Sequence, residues 1–170
     1  MTGLLSNSEL DAPGLLAQTA NLATILQTKG WRMATAESCT GGMIAAACTD
    51  LAGSSNWFER GFVTYSNAAK AEMLGVDAAL IERHGAVSES VARAMVQGAL
   101  EHSPAQAAVA VTGVAGPGGG SADKPVGTVW FAWATPAGIS SEVLHFGGDR
   151  AAVRQATVLH ALAHLADLLV

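Results

Sequence analysis

The sequence predicts a single three-layer α/β/α domain whose mixed sheet is partly antiparallel. The 170 residues are one domain's worth of chain; half of them are apolar and 14% are charged, which is typical of a protein with one substantial core. Helical and strand-like segments alternate along most of the chain, an order that favours helices on both faces of a sheet. Two consecutive strand-like segments in the last third indicate an antiparallel pair at one end of that sheet.

The N-terminal half predicts alternating helices and strands. Residues 1–11 lack sustained periodicity and are predicted to form a flexible arm, so the folded domain is expected at 12–170. Apolar residues recur at helical spacing over 14–29, and Gly30 follows as a helix-ending residue. The other predicted elements are a strand at 31–36, a helix at 41–50, a strand at 61–65 and helices at 68–74 and 78–83.

The C-terminal half predicts a long helix, three strands and a final helix. Ser88 is suited to cap the long helix, which is expected to reach about Leu100. A continuous apolar run of strand length is followed by a segment too rich in glycine for either a helix or a central strand. The predicted elements are a strand at 107–112, a loop at 113–121, a strand pair at 126–134 and 139–146, and a helix from an Asp149 cap to about Leu169.

Charge and cysteine content exclude several functional classes. The formal net charge is -5 and no run of lysine or arginine exists, so the chain lacks the clustered cations of a nucleic-acid footprint. Two cysteines, Cys39 and Cys48, are too few for a disulfide framework or a tetrahedral zinc site. No apolar run approaches the roughly 20 residues of a membrane span, and no signal-peptide pattern opens the chain. We therefore expect a soluble, cytoplasmic protein without a nucleic-acid or membrane partner.

The segment from Ala36 to Gly42 carries the first candidate for chemistry, because Ser38 lies where a strand pattern gives way to a helical one. A helix beginning near Thr40 would aim its free N–H groups at that turn, where they favour an oxyanion or a phosphate. Ser and Thr are also preferred helix caps, worth about 1 kcal/mol, and the local sequence alone favours capping. The choice depends on the rest of the chain.

A serine nucleophile needs a base, and the candidates are Lys70 and Tyr65. Lysine can take the proton if burial lowers its pKa, and a tyrosine can relay or orient that proton. Taken singly, Lys70 is more commonly a solvated helix residue and Tyr65 a half-buried strand residue. Tyr65 is, however, the only tyrosine in the chain.

The glycine-rich loop after Thr112 is a second candidate. Its backbone N–H groups would suit an anion nest or an oxyanion hole, to which Thr112 would add a hydroxyl. The loop lacks the Gly-Lys-Ser/Thr ending of a P-loop, and a strand is predicted after it where a dinucleotide-binding turn needs a helix. An ordinary hairpin-like loop is an equal alternative.

Two residue pairs spaced four apart lie on the last predicted helix. His160 and His164 share one face, but Ala161 stands where metalloprotease chemistry needs a glutamate, so an ordinary packing pair is strongly favoured. Arg150 and Arg154 are placed to clamp a phosphate, although arginines at such positions are commonly solvated. No metal site is predicted.

Five segments form a specific, ordered set: AESCTGG (36–42), GSSNWFERGFVTYSN (53–67), HGAVS (84–88), TGVAGP (112–117) and KPVGTV (124–129). Together they closely resemble the CinA C-terminal-domain family, over a region from about Ala17 to the C-terminal helix. Characterised members of that family are nicotinamide mononucleotide (NMN) amidohydrolases.

The resemblance implies a three-layer α/β/α domain that forms a homo-oligomer, a dimer or higher, and needs no metal or cofactor. It implies conversion of NMN and water to nicotinate mononucleotide and ammonia, in pyridine-nucleotide (NAD) recycling. The family's catalytic serine, tyrosine and lysine correspond to Ser38, Tyr65 and Lys70. The residues expected to bind substrate are Glu37, Thr40, Gly41, Gly42, Thr112, Gly113, Ala115 and, as a phosphate contact, Arg150. Many relatives carry a larger N-terminal domain that this sequence lacks, so no activity of that domain is expected.

The implied mechanism is covalent. Lys70, neutral in its pocket, helps to remove the Ser38 proton through or alongside Tyr65, and the alkoxide attacks the amide carbon. Backbone N–H groups near Ser38 or the Gly113 loop would hold the oxyanion.

Two alternatives accompany this mechanism: an amidase for another amide, and a non-catalytic module that binds a nucleotide or a protein, in line with the family's link to competence and DNA damage. The serine, tyrosine and lysine favour an enzyme, because a binding module needs no nucleophile with a base.

Overall fold

The computed structural model describes residues 12–170, in which one five-stranded sheet lies between two layers of helices. The predicted α/β class is confirmed, whereas the arm predicted at 1–11 lies outside the described residues. The strands are β1 (Met33–Glu37), β2 (Phe58–Val63), β3 (Ala107–Gly113), β4 (Thr128–Thr135) and β5 (Gly138–His145). The helices are α1 (Ala12–Lys29), α2 (Met43–Thr49), α3 (Asn67–Leu74), α4 (Ala78–His84), α5 (Glu89–Glu101) and α6 (Arg150–Leu168), with a short 3-10 helix at Ser54–Asn56.

The sheet has the order β2-β1-β3-β4-β5. Strand β1 pairs in parallel with both β2 and β3, whereas β4 is antiparallel to β3 and β5 is antiparallel to β4. The mixed sheet with an antiparallel end is therefore as predicted. Because β1, β2 and β3 run in the same direction, their carboxyl ends meet at one edge of the sheet, where ligand sites of open α/β sheets form.

The two faces of the sheet bury different kinds of side chain. One face carries the large residues Val109, Phe131 and Trp133, which pack against α1, α2 and α6. The other face is lined mainly by alanines, including Ala108 and Ala132, which face α5. Small side chains on that face let α5 lie close to the strands, while the bulky face fixes α6 through its apolar contacts.

Local sequence explains most element boundaries. The side chain of Ser88 accepts the Val91 N–H at 3.4 Å, and that of Asp149 accepts the Ala152 N–H at 2.9 Å, so both predicted caps are confirmed. Strand β2 begins three residues earlier than predicted, because it is an edge strand with both sides partly exposed and lacks a clear apolar alternation. In the part of the chain described, no helix combines the length and the hydropathy needed to cross a bilayer.

Candidate active site

Ser38 lies directly after β1, at the carboxyl edge of the sheet. Its N–H donates to the Val111 carbonyl of β3 at 3.1 Å, and the Gly41 N–H donates back to the Ser38 carbonyl at 3.1 Å. Gly41 and Gly42 complete the turn with φ angles of 59° and 106°, in the left-handed region that glycine adopts without steric cost. Ser38 is only 8% exposed, so its hydroxyl is largely shielded from bulk water.

Glu37 stabilises this turn through hydrogen bonds to its side-chain carboxylate. Its fully buried carboxylate accepts hydrogen bonds from the Thr40 hydroxyl (2.7 Å) and from the N–H groups of Ile44 (2.8 Å) and Ala45 (3.0 Å). These bonds satisfy a charge whose burial would otherwise be costly. Neither Glu37 nor Thr40 has exposed surface, so both support the turn here rather than offering a side chain to a substrate.

The capping expected of Ser38 or Thr40 is wrong. Helix α2 has Gly42 at its N-cap position without a side-chain cap, and the Glu37 carboxylate takes the first amides instead. A carboxylate near a helix N-terminus is favoured by the dipole, which explains why an acid replaces the usual hydroxyl. The Met43 N–H also has a partner, the Thr40 carbonyl at 3.2 Å. The first amides of α2 are thus occupied, and the oxyanion or phosphate site expected there is not formed by them.

Lys70 is the amine that lies beside Ser38. Ser66 caps α3 and places Lys70 on its first turn, where Nζ lies 2.9 Å from Ser38 Oγ. Lys70 is 1% exposed and forms no salt bridge within residues 12–170. Burial lowers the pKa of Lys70, and the neighbouring Cys39 offsets part of that effect. The environment therefore favours the neutral amine more than bulk water does.

Lys70 Nζ has three oxygen partners, a set that either the ammonium or the neutral amine can satisfy. Its Nζ also lies 2.8 Å from the Thr64 carbonyl and 3.4 Å from the Tyr65 carbonyl. A neutral amine has two N–H donors and one lone pair. With both donors directed to carbonyls, the lone pair can accept the proton of the Ser38 hydroxyl.

Tyr65 reaches the site in a different way from that predicted. It is 62% exposed, and its phenol oxygen accepts from Arg150 Nη2 at 3.4 Å. The phenol makes no hydrogen bond with Ser38 or Lys70; only its backbone carbonyl meets the lysine. The structure brings all three predicted residues to one cavity, with Ser38 and Lys70 in direct side-chain contact. The proton relay through the phenol stays a prediction.

The cavity at Ser38 has a volume of about 250 Å³. Of the eight residues predicted to bind substrate, four lie on its wall and four do not, the latter being Glu37, Thr40, Gly41 and Gly42. The wall consists of Ser38, Cys39, Tyr65, Asn67, Lys70, Ala86, Val87, Thr112, Gly113, Ala115 and Arg150. Sequence reasoning assigned no role to Asn67, Ala86 or Val87, although all three belong to segments that carry the family resemblance.

Thr112 shapes the wall but is not free to act as an oxyanion donor. Its hydroxyl donates to the Ala86 carbonyl at 2.9 Å, which ties the end of β3 to the loop before α5. Since a hydroxyl has one proton, that donor is used. The contribution expected of Thr112 to an oxyanion hole is therefore absent in this structure.

The two arginines of α6 diverge. A second cavity of about 640 Å³ shares Ala115 and Arg150 with the first, so Arg150 stands between the two. Arg150 Nη1 donates to the Gly116 carbonyl of the glycine loop at 2.9 Å. Arg154 instead donates from Nε to the Cys39 carbonyl and from Nη2 to the Thr40 carbonyl, both at 3.1 Å. Arg154 thus holds the Ser38 turn, and it also lines the larger cavity together with Arg150, so the predicted phosphate clamp stays a prediction.

Cys39 places a thiol on the wall of the described cavity, next to Ser38 in the sequence. Burial raises its pKa to about 11, with an added contribution from Glu37, while its own backbone N–H, Arg154 and Lys70 act in the opposite direction. The thiol is therefore protonated near neutral pH, and a thiol is a much weaker nucleophile than a thiolate. The geometry favours Ser38 over Cys39 as the attacking group.

The CinA C-terminal domain model matches residues 16–169, a range that includes every residue of both cavities. The chain belongs to the CinA C-terminal domain family. Within that family it is 53% identical over 145 residues to a protein of Enterobacter agglomerans named nicotinamide-nucleotide amidohydrolase PncC, covering 85% of this chain and 88% of that one. It is 51% identical over 152 residues to the protein of the same name from Escherichia coli K12, covering 89% and 92%.

Solved structures of CinA proteins share the fold. A CinA superfamily protein from Escherichia coli superposes with a TM-score of 0.90 at 38% identity, covering 99% of this chain and 95% of that one. The competence/damage inducible protein CihA from Agrobacterium tumefaciens has a TM-score of 0.88 at 44% identity, covering 99% of each chain. The family and the fold expected from the five segments are both confirmed.

Proposed function

We propose that this protein is an NMN deamidase, which converts NMN and water to nicotinate mononucleotide and ammonia. The observation that carries the proposal is the contact between the enclosed Lys70 amine and the Ser38 hydroxyl, at 2.9 Å. The substrate class is supported by relatives named nicotinamide-nucleotide amidohydrolase, which include a protein of Pseudomonas putida that is 57% identical over 137 residues. A serine with a buried amine base suits attack on a carboxamide.

In the first half of the reaction, Lys70 Nζ accepts the Ser38 proton as Oγ attacks the carboxamide carbon. The carbonyl π electrons move to oxygen, and a tetrahedral intermediate forms. The N–H group of Cys39 directly follows the nucleophile, belongs to a residue on the wall of the cavity and has no backbone acceptor within the described residues, so it is our candidate for the oxyanion hole. Lys70 then returns the proton to the amide nitrogen, the C–N bond breaks, and ammonia leaves.

In the second half, water hydrolyses the acyl-enzyme. Lys70 takes a proton from water as the hydroxide adds to the ester carbon, and the collapse of the intermediate breaks the bond to Ser38 Oγ. The proton held by Lys70 passes back to Ser38, which restores the resting enzyme and releases nicotinate mononucleotide. The amine thus acts as base and acid in turn.

Substrate selection would rest on the pair of cavities. The reacting carboxamide belongs beside Ser38 in the smaller cavity, and the ribose phosphate belongs in the larger one. Arg150 lies at the junction, partly anchored by the Gly116 carbonyl, and offers a guanidinium to the phosphate. The Tyr65 phenol beside Arg150 limits the directions in which that guanidinium can point.

The test compares purified wild-type protein with the Ser38→Ala variant on NMN, without added metal, while ammonia and nicotinate mononucleotide are followed together. Equal release of both products by wild type alone supports the deamidase. NMN binding without release of either product by wild type would instead support the alternative, a binding module related to competence or DNA damage. Free nicotinamide serves as the comparison substrate, because turnover of the free base at a similar rate would point to a different amidase.

The remaining expectations are proposals of the same kind. They are a homo-oligomer, a cytoplasmic role in NAD recycling, no nucleic-acid partner and no metal or cofactor in the reaction. The oligomer is checked by light scattering on the purified protein, where a single species of monomer mass would contradict it.

A further inference from the structure

Glu142, His160 and His164 form a cluster outside the active site. The two histidines lie four residues apart on α6 and therefore on one helix face, and Glu142 comes from the edge strand β5. One ligand atom from each of the three lies within 4.8 Å of the others, and all three residues are partly buried. His160 Nε2 lies 2.9 Å from Glu142 Oε2.

We propose that these three residues bind a divalent transition-metal ion of the zinc class. Two imidazoles and one carboxylate are ligands that Zn²⁺, Co²⁺ and Ni²⁺ accept, whereas Ca²⁺ and Mg²⁺ need sets made of oxygen. Histidines at positions i and i+4 of a helix can hold one ion between them, as in helical zinc motifs. Partial exposure of the cluster leaves the remaining coordination positions to water.

Aromatic packing holds the two imidazole rings in place. The His160 ring meets Phe131 edge to face with centroids 4.9 Å apart, and the His164 ring lies 4.4 Å from Trp133. Trp133 is itself fixed by its Nε1–H, which donates to the Ala161 carbonyl at 3.0 Å. The two imidazoles are nearly parallel, with an interplanar angle of 17°. Because the rings already have defined orientations, binding an ion costs less conformational entropy.

An ordinary ion pair explains only part of this arrangement. The contact between His160 and Glu142 would satisfy those two residues without a metal. That ion pair does not account for His164. The His164 ring lies in the same cluster, yet its nitrogens have no hydrogen-bond partner in the described part of the chain. A metal ion accounts for all three residues at once.

The ion would act as a structural link between β5 and α6, not as a catalyst at Ser38. His160 is ten residues beyond Arg150, which corresponds to about 15 Å along the helix axis. Within residues 12–170, edge strand β5 pairs with β4 alone. A bridge from Glu142 to α6 would therefore tie down the side of the sheet that has no further strand.

The test uses untagged, chelator-treated protein and Zn²⁺ in isothermal titration calorimetry, with the visible absorption of Co²⁺ as a second readout. We expect one equivalent per chain in wild type. Loss of a residue that only supports a metal ligand typically lowers metal affinity by about 10- to 100-fold. Both His164→Gln and Glu142→Gln remove a ligand, so each should lower the affinity for Zn²⁺ by more than that. The matched control is His145→Gln, which alters an exposed histidine at the end of the same strand and should bind Zn²⁺ as wild type does.

Thermal unfolding separates binding at this cluster from binding elsewhere. Zn²⁺ should raise the melting temperature of wild type, Ser38→Ala and His145→Gln, and should not raise that of His164→Gln or Glu142→Gln. Circular dichroism of each variant establishes that it is folded. The proposal is overturned if wild type shows no saturable Zn²⁺ binding, or if the folded variants His164→Gln and Glu142→Gln bind with wild-type affinity.

Discussion

Lys70 Nζ lies 2.9 Å from Ser38 Oγ, although the two residues are 32 positions apart in the sequence. The contact depends on two separate local structures. One is the turn after β1, held by Glu37 and Arg154, and the other is the Ser66 cap that starts α3. Since Lys70 has no carboxylate beside it in the described structure, its amine is available to the serine.

Replacement of the amine should remove most of the activity. A Lys70→Met variant retains the length of the buried stem but has no group to accept the Ser38 proton, so we expect kcat to fall by about 10²- to 10⁴-fold, the usual contribution of a positioned base. Steady-state kinetics on NMN provides the measurement. The control is Lys29→Met, at the exposed end of α1. A kcat of Lys70→Met within tenfold of the wild-type value would contradict the assignment of Lys70 as the base.

The activity of wild type should rise with pH. Only the neutral amine accepts the Ser38 proton, and burial lowers the pKa of Lys70, so the midpoint of the rise in kcat/KM should lie below the ordinary lysine value of about 10.4. A pH–rate profile on NMN tests this. A midpoint at or above the ordinary value would contradict the neutral-amine mechanism.

The same pKa shift provides a control that does not depend on turnover. Between the lowered pKa of Lys70 and its ordinary value, the unfolded chain binds a proton that the folded protein does not, so the free energy of unfolding rises with pH in that window. The destabilisation is complete below the lowered pKa and disappears above the ordinary one. Urea unfolding at several pH values should show this slope in wild type and not in Lys70→Met.

Glu37→Gln should destabilise the turn. The carboxylate accepts from the hydroxyl of Thr40 and from two backbone amides, and an amide nitrogen in place of one oxygen cannot accept. A buried donor left without a partner costs about 1–3 kcal/mol, so the free energy of unfolding should decrease by that amount, the urea midpoint should fall accordingly, and kcat should decrease as well. Glu72→Gln on the exposed side of α3 is the matched control. An unchanged midpoint would show that Glu37 is not needed to hold the turn.

Arg150→Met should affect substrate binding more than stability. We expect KM for NMN to rise by about 10- to 100-fold, as for the loss of a hydrogen bond to a charged group, with little change in the melting temperature. Arg154→Met should show the opposite pattern, because Arg154 is bonded to the backbone of the Ser38 turn. Steady-state kinetics and thermal unfolding of both variants distinguish the two roles. Equal changes in KM and in melting temperature for Arg150→Met and Arg154→Met would show that the two arginines do not have separate roles.

The α/β class and the mixed sheet followed from patterns that repeat locally. Ser38 and Lys70 were singled out by their chemistry and by the family resemblance; the structure brings them into contact, and their catalytic roles stay a prediction. The strands β1 and β3 followed from apolar runs, and the caps at Ser88 and Asp149 from their residue types. The role of Glu37 was missed, because helix-cap preferences describe hydroxyls next to a helix and not an acid at the end of a strand.

Contacts between distant parts of the chain could not be predicted from local sequence patterns. The histidine pair on α6 was read as ordinary packing, since nothing in the sequence indicates that Glu142 of β5 lies beside it. Arg150 and Arg154 have the same spacing and chemistry, yet they contact different loops, because the position of α6 over the sheet decides which loop each one meets.

The bonds from Arg154 to the carbonyls of Cys39 and Thr40 join positions 115 and 114 residues apart. During synthesis on the ribosome, the nucleophile therefore emerges long before the helix that steadies it. We expect the nascent chain to be inert until its last helix has been translated and has docked, so a polypeptide that stops at Gly148 should release no ammonia from NMN.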